Sequence, residues 1–411
     1  MKLPMIRNLE VFPVKVEGET VFCLRDPEGY VEQQAYLSPH AFFIASCLNG
    51  KNTVHEVQKL FEKQFTGQSL DKKWISEVVT FLDENFFLFN KRFETLRKRV
   101  EKKFLSAPTR PAYFAGKSYP NFPDQLREVI NQFFLHPTGP QRLPDFSSLS
   151  YDLPTAKGLI TPHIDFQRGG PAYAHGYYSL FQHGRPDLFF VFGVSHLSPP
   201  TPFILTRKDF HTPLGTIKTN TEIVDQLAAA CQWDPFAFEI AHRTEHSIEF
   251  QVVMLSYLYG TNIEIVPVLC GAFPDDFETV DASQPDTINP FINVCRSVLA
   301  DREKRVTLIS GVDLAHVGRR FGDPFDITSE TTEQVRIRDH EDLKWALDVN
   351  PDSFLSSLMK DKNERRVCGK NCIYATLKIL KGISDSGEEL DYNHAPDPLG
   401  GMVSFTSILY R

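Results

Sequence analysis

The chain has 411 residues and a formal net charge of −8, with 42% hydrophobic and 23% charged residues. That length exceeds one typical domain of about 100 to 200 residues, so two domains are expected, with enough apolar material for a real core. The negative balance argues against non-specific nucleic-acid binding by the whole chain, and no apolar run approaches the roughly 18 to 20 residues that span a bilayer.

The opening MKLPMIRNLEVF lacks the apolar core and cleavage site of a secretory signal, so a cytoplasmic location is expected. Seven cysteines scattered through the chain do not form the framework of a small disulfide-rich domain and are read as thiols.

Residues 1 to about 90 begin with β-like stretches at Val11 to Val16, Glu19 to Leu24 and Gln33 to Leu37, and then turn helical. Thr53 and Glu56 are spaced as a capping box ahead of an apolar face of Val54, Val57, Leu60 and Phe61. Trp74, Ile75, Val78, Val79 and Leu82 predict a second amphipathic helix, followed by a strand-like Phe86 to Phe89. The basic run at 91 to 103 reads as a solvated connector helix. The expected boundary separates a small α+β unit, 1–105, from a second domain, 106–411.

The chain between Leu105 and Pro154 is Pro-rich and aromatic, with a helix-like Pro123 to Phe134. Apolar runs at Gly158 to Thr161, Leu188 to Val194, Ile263 to Leu269, Val306 to Ser310 and Val403 to Leu409 then alternate with helix patterns. The helices expected are His246 to Tyr259, Pro290 to Ala300 and Thr328 to Leu347. This alternation predicts an α/β fold with a mainly parallel sheet flanked by helices.

In such sheets ligands gather beyond the carboxyl ends of the strands. His163 follows the first run, His196 the second, and Asp313 and His316 a later one. A lone histidine there often only packs, so the recurrence carries the signal. Glu245 and His246 stand at a predicted helix start, where a carboxylate is favoured and an imidazole stays neutral, although a simple capping cluster has the same pattern. Cys368 precedes another helix, with Arg365 and Arg366 nearby. Both features are expected to lower its thiol pKa. Cys231, Cys270, Cys295 and Cys372 read as core residues.

The ordered motifs PHIDF, GVSH, EHSIE, GVDLAHVG and VCGK, with the lead-in AYFAGKSYP, resemble the MEMO family, including the B protein of the AmmeMemoRadiSam system. The resemblance spans roughly Pro111 to Arg411. It implies a fold similar to class III extradiol dioxygenases and a metal held by two histidines and a cysteine, which fall at His163, His196 and Cys368. His246 matches a residue lining the site, and Asp313 and His316 match a motif beside it. This chain has PHIDF where the family usually has PHAGY. Asp165 is thereby placed near the first ligand, as a further oxygen ligand or proton acceptor.

Two imidazoles and one anionic donor suit Fe(II), while the thiolate lets copper and zinc compete. The function expected is a metal-dependent, iron-based oxidoreductase. His246 is its acid/base or orienting residue, and Asp313, His316 and Asp165 support it. A non-redox metal protein that recognises peptides and a metal-assisted hydrolase are the alternatives. The N-terminal segment LSPHAFFIASCLNGKNTVHEVQKLF also resembles the peptide-recognition domains typified by the pyrroloquinoline-quinone D protein, which have a winged-helix character. A peptide or protein partner and a radical-SAM partner enzyme follow as expectations, and nucleic acid does not.

Overall fold

The computed structural model describes residues 2–411 apart from 198, 274–286 and 398. The chain divides into two compact units, Met1–Ser106 and Ala107–Arg411.

In the first unit β1 (Met5–Ile6) pairs with β5 (Leu88–Phe89), and β2 (Glu10–Val16), β3 (Glu19–Arg25) and β4 (Ala35–Leu37) form a three-stranded antiparallel sheet. The helices are α1 (Pro39–Ser46), α2 (Val54–Gln64), α3 (Lys72–Glu84) and α4 (Lys91–Ser106). The capping box forms as the spacing requires: Thr53 Oγ1 accepts from the Glu56 N–H, and the Glu56 carboxylate accepts from the Thr53 N–H at 2.7 Å. The β2–β3–β4 sheet and α1 to α3 close over Leu24, Ile44, Val57, Phe61, Ile75 and Leu82.

The second unit is built on one large sheet. Its strands are β6 (Thr109–Arg110), β7 (Gly158–Thr161), β8 (Leu188–Val194), β9 (Phe203–Leu205), β10 (Asp209–Thr212), β11 (Gly215–Thr219), β12 (Glu264–Cys270), β13 (Val306–Gly311), β14 (His316–Gly318), β15 (Gly387–Asp397) and β16 (Gly401–Tyr410). They lie in the order β14-β16-β7-β13-β8-β12-β11-β10-β6, with β15 beside β16 and β9 beside β12. The centre, β7-β13-β8-β12-β11, is parallel throughout. The final apolar run, β16, pairs antiparallel to β7 and so extends the sheet without a crossover helix.

Helices α5 (Pro123–Leu135), α6 (Phe166–Phe181), α7 (Thr221–Ala229), α8 (His246–Tyr259), α9 (Asn289–Ala300), α10 (Ser329–Leu347), α11 (Pro351–Leu358) and α12 (Lys370–Leu380) complete the unit. The two largest core clusters each combine sheet residues with helices. One joins Phe190, Val266 and Leu308 to α7, α9 and α12, and the other joins Phe189, Val191 and Ile309 to α5, α6 and α8. Every residue of α8 after His246 is buried, so this helix has no solvent face and carries its polar side chains inward.

Among the described residues no helix is long and apolar enough to cross a membrane.

Candidate metal centre

Three neighbouring parallel strands, β7, β13 and β8, end in register, with Gly311 opposite Thr161 on one side and Gly193 on the other. The chain beyond each end carries His163, Asp313 and His196, respectively, to one edge of the sheet. Two glycines let α8 reach that edge. A Cβ at Gly193 would lie 2.4 Å from Ser247 Oγ, and one at Gly311 would lie 2.4 Å from the Ser247 carbonyl. Any other residue in GVSH or GVD would push the helix away. Gly369 acts likewise for Cys368, since a Cβ there would lie 2.8 Å from the Asp313 carbonyl.

His163 is buried and fixed by its surroundings. Its Nδ1 faces the Gly311 carbonyl at 3.0 Å, an acceptor only, so Nδ1 carries the proton and Nε2 keeps its lone pair. Its backbone N–H and that of Ile164 donate to Asp313 Oδ1 at 3.0 and 3.2 Å. The Nε2 atom lies 3.5 Å from Cys368 Sγ and 3.5 Å from Asp313 Oδ2.

His196 is fixed by a charge. Its Nδ1–H donates to Glu245 at 3.0 and 3.1 Å to the two oxygens, and its backbone N–H donates to Oε2 at 3.1 Å. Glu245 is also the N-cap of α8 and accepts the Ser247 N–H at 3.0 Å. A carboxylate on the far nitrogen of an imidazole is the usual device for aiming the near nitrogen at a metal. The donor atoms of His163, His196 and Cys368 all lie within 4.8 Å of one another.

Burial and the Glu245 carboxylate set the electrostatics of the cluster. Burial pushes His163 and His246 down to about 3, so both imidazoles are neutral at ordinary pH. Burial also raises Asp313 to about 6. Desolvation works against ionisation of Glu245, yet the imidazoles of His196 and His246 and the Ser247 N–H hold its carboxyl below the usual carboxylate range. His196 is desolvated as well, but Glu245 and Cys368 raise it well above 6.5.

The Cys368 thiol departs from the sequence expectation. Burial raises its pKa. The two arginines that were to lower it are engaged elsewhere: Arg365 is caged by Asp339 and Asp342, and Arg366 is paired with Asp323. They lock the loop that carries the cysteine, because the His316 N–H donates to the Arg365 carbonyl at 2.7 Å and Arg366 Nη1 donates to the His316 carbonyl at 3.1 Å. Against that rise His196 lowers the thiol pKa, so a Cys368 thiolate would be stabilised by the His196 imidazolium or by a bound cation.

His246 joins the cluster, with its ring centre 5.1 Å from that of His163 and 4.7 Å from that of His196. His316 is half-buried, its Nδ1–H donating to the Leu314 carbonyl at 3.0 Å and its ring against Phe321. Asp165 is drawn off by other work. It caps α6, accepting the Arg168 N–H at 3.2 Å and the Arg168 Nε–H at 2.6 Å, and it stands outside the converging donor set.

Sequence reading gave Glu245 a capping role and missed its second one, because its contact with His196 spans 49 residues. It also missed Glu249. This buried carboxylate accepts from Arg110, the Tyr119 hydroxyl and the Tyr113 and Phe114 N–H groups, the last two at 3.1 and 2.8 Å. Arg110 in turn donates to the Glu245 carbonyl at 2.8 Å. The lead-in AYFAGKSYP and the EHSIE motif are thus one buried polar assembly behind the histidines, and the Phe114 ring stands edge-on to His246 at 5.7 Å.

Two histidines and a cysteine gathered at the carboxyl ends of a mainly parallel sheet define a candidate metalloprotein of the open α/β class. Comparison with known proteins supplies the family: the profile described as Memo-like protein matches residues 110–407, and the chain belongs to the Memo family. A MEMO1 family protein of Aquifex aeolicus is 29% identical over 391 residues, covering 95% of this chain and 96% of the relative. MEMO1 family proteins of Methanopyrus kandleri and Methanobrevibacter smithii are 26% and 30% identical, each over 72% of this chain and over 97% and 98% of their own lengths.

Proposed function

We propose that this protein is a metal-dependent oxidoreductase with a mononuclear centre, iron being the leading metal, held by His163, His196 and Cys368. The observation that carries the reading is the aiming of the donors. Both imidazoles have Nδ1 tied down, by the Gly311 carbonyl and the Glu245 carboxylate, and the remaining donor atoms converge with a thiol within 4.8 Å. A metal held by these two nitrogens and one sulfur would keep coordination positions for substrate and O₂. When bound, ferrous iron would supply electron transfer to O₂ there, and copper or zinc would compete for the thiolate-softened site.

The chain's own residues do the rest. Asp313 fixes the backbone of His163, and Glu245 fixes the ring of His196. His246, neutral and beside both, acts as the acid/base or orienting residue, with Phe114 as an apolar wall. Asp313, 3.5 Å from His163 Nε2, and the neighbouring His316 add to the polar lining. The class III extradiol dioxygenase-like fold that the MEMO resemblance implies would point the same way.

The substrate class is a peptide or protein in a modification pathway, which would include a radical-SAM partner. The winged-helix-like resemblance of the first unit and its open three-stranded sheet suit capture of an extended segment along an edge strand. Protein purified without oxygen and loaded with Fe(II) should consume O₂ in step with a candidate peptide. Peptide binding that survives metal removal without O₂ uptake would favour the recognition protein, and hydrolysis without O₂ the hydrolase.

A further inference from the structure

We infer a second cation position made by His196, Glu245 and His246, so that His196 bridges two ions through its two ring nitrogens. The inference rests on the metal reading above and extends it from one ion to two.

The donor atoms of these three residues also lie within 4.8 Å of one another. Glu245 Oε1 is the hub, 3.0 Å from His196 Nδ1 and 3.4 Å from His246 Nδ1. Two atoms ligating one ion at about 2.1 Å, with an angle of about 90 to 110° between them, stand about 3.0 to 3.4 Å apart. The two contacts to Glu245 fall on those edge lengths, and the two imidazole donors lie within 4.8 Å of each other. The 3.4 Å contact is also long for a charge-assisted N–H···O bond of about 2.7 to 2.9 Å, so a proton alone bridges it poorly.

Two imidazoles and a carboxylate suit Zn²⁺ or Cu²⁺. Entry of the ion displaces the Nδ1 proton of His196 to solvent, and His246 keeps its single proton on its other nitrogen. The positive end of α8 opposes a cation at this point, and the charge of Glu245 offsets it. Solvent reaches the position, since the side chains of His196 and His246 are 41% and 29% exposed.

The test is a count of ions on the full-length protein. Chelator-stripped protein is titrated with Zn²⁺ alone, desalted, and its metal measured by mass spectrometry. Two equivalents are expected in the wild type and one in both His246→Ala and His246→Gln, with circular dichroism confirming the fold. Loading with Cu²⁺ should give a single-copper EPR signal at one equivalent that collapses at two, as coupling through the shared imidazole requires. One equivalent in the wild type, or two in both His246 variants, would overturn the second position and leave the first standing. No bound metal at all would overturn both.

Discussion

The carboxylate of Glu245 offers the sharpest perturbation, because it touches no proposed ligand atom of the first ion yet aims one. In Glu245→Gln the side chain keeps its shape but loses its charge, and one acceptor oxygen becomes an N–H₂ group. Three donors now face it: the His196 Nδ1–H, the His196 N–H and the Ser247 N–H. One oxygen cannot serve all three, so either the ring of His196 turns or the α8 cap opens. Loss of a carboxylate behind a metal-bound imidazole costs about 10- to 100-fold in metal affinity. At about 1.4 kcal/mol per tenfold, that is about 1.4 to 2.8 kcal/mol. The metal-free protein loses a further hydrogen bond to a charged group, about 1.5 to 3 kcal/mol of stability. Competition against a chromophoric chelator gives the first number and thermal melting of the stripped protein the second. Affinity for the first equivalent within twofold of wild type would refute the orienting role.

Each of His163→Ala, His196→Ala and Cys368→Ser should lose the first metal equivalent with circular dichroism unchanged; full occupancy in any one removes that residue from the ligand set. Asp165→Ala should cost about 1 kcal/mol as a lost N-cap and leave metal content unchanged, with Asp165→Asn milder; an altered metal preference would return this carboxylate to the site. A fragment of residues 107–411 should fold and bind metal, since it is a compact unit and the Methanopyrus kandleri relative is matched over 97% of its length by 72% of this chain; an insoluble or metal-free fragment would give the first unit a supporting role. Stripped protein should lose stability as pH falls. His163 and His246 are held down to about 3 from an ordinary 6.5, as is His242, buried with its Nε2 against the Ile204 carbonyl, so their contribution is complete above 6.5 and disappears toward 3, while Asp313, raised to about 6, and His196, raised well above 6.5, oppose them more weakly. A melting temperature that is flat or rises between pH 7 and 4.5 would contradict this.

The sequence revealed what is periodic or adjacent. The buried runs of β7, β8 and β13 read directly as parallel strands, and the residues just past them, His163, His196 and Asp313, marked the site, because strand ends are where side chains leave the core. The capping box at Thr53 was equally legible, being a matter of four residues. What stayed hidden was non-local. Helix α6 is interrupted in pattern by Gly169, Gly170 and Pro171, and a Cβ at Gly170 would lie 2.4 Å from the Phe133 ring, so tertiary packing chose those residues against helix propensity. Glu245, Glu249 and Arg110 looked like ordinary charges until contacts 49 and 139 residues long placed them behind the histidines. Asp165 was expected near the first ligand, but the chain turns helical at Phe166 and its carboxylate caps the turn. The arginines beside Cys368 were close in sequence and turned away in space.

The central claim is that one metal ion takes two imidazole nitrogens and the Cys368 sulfur, and X-ray absorption at the metal edge tests it without a substrate. Protein loaded anaerobically with one equivalent of Fe(II), or of Zn²⁺ as a redox-silent control, should show one sulfur neighbour and imidazole scattering from two rings. In the zinc form the sulfur should stand about 2.3 Å from the metal, and Cys368→Ser should lose that shell. A first shell of only nitrogen and oxygen in the wild type would contradict the account.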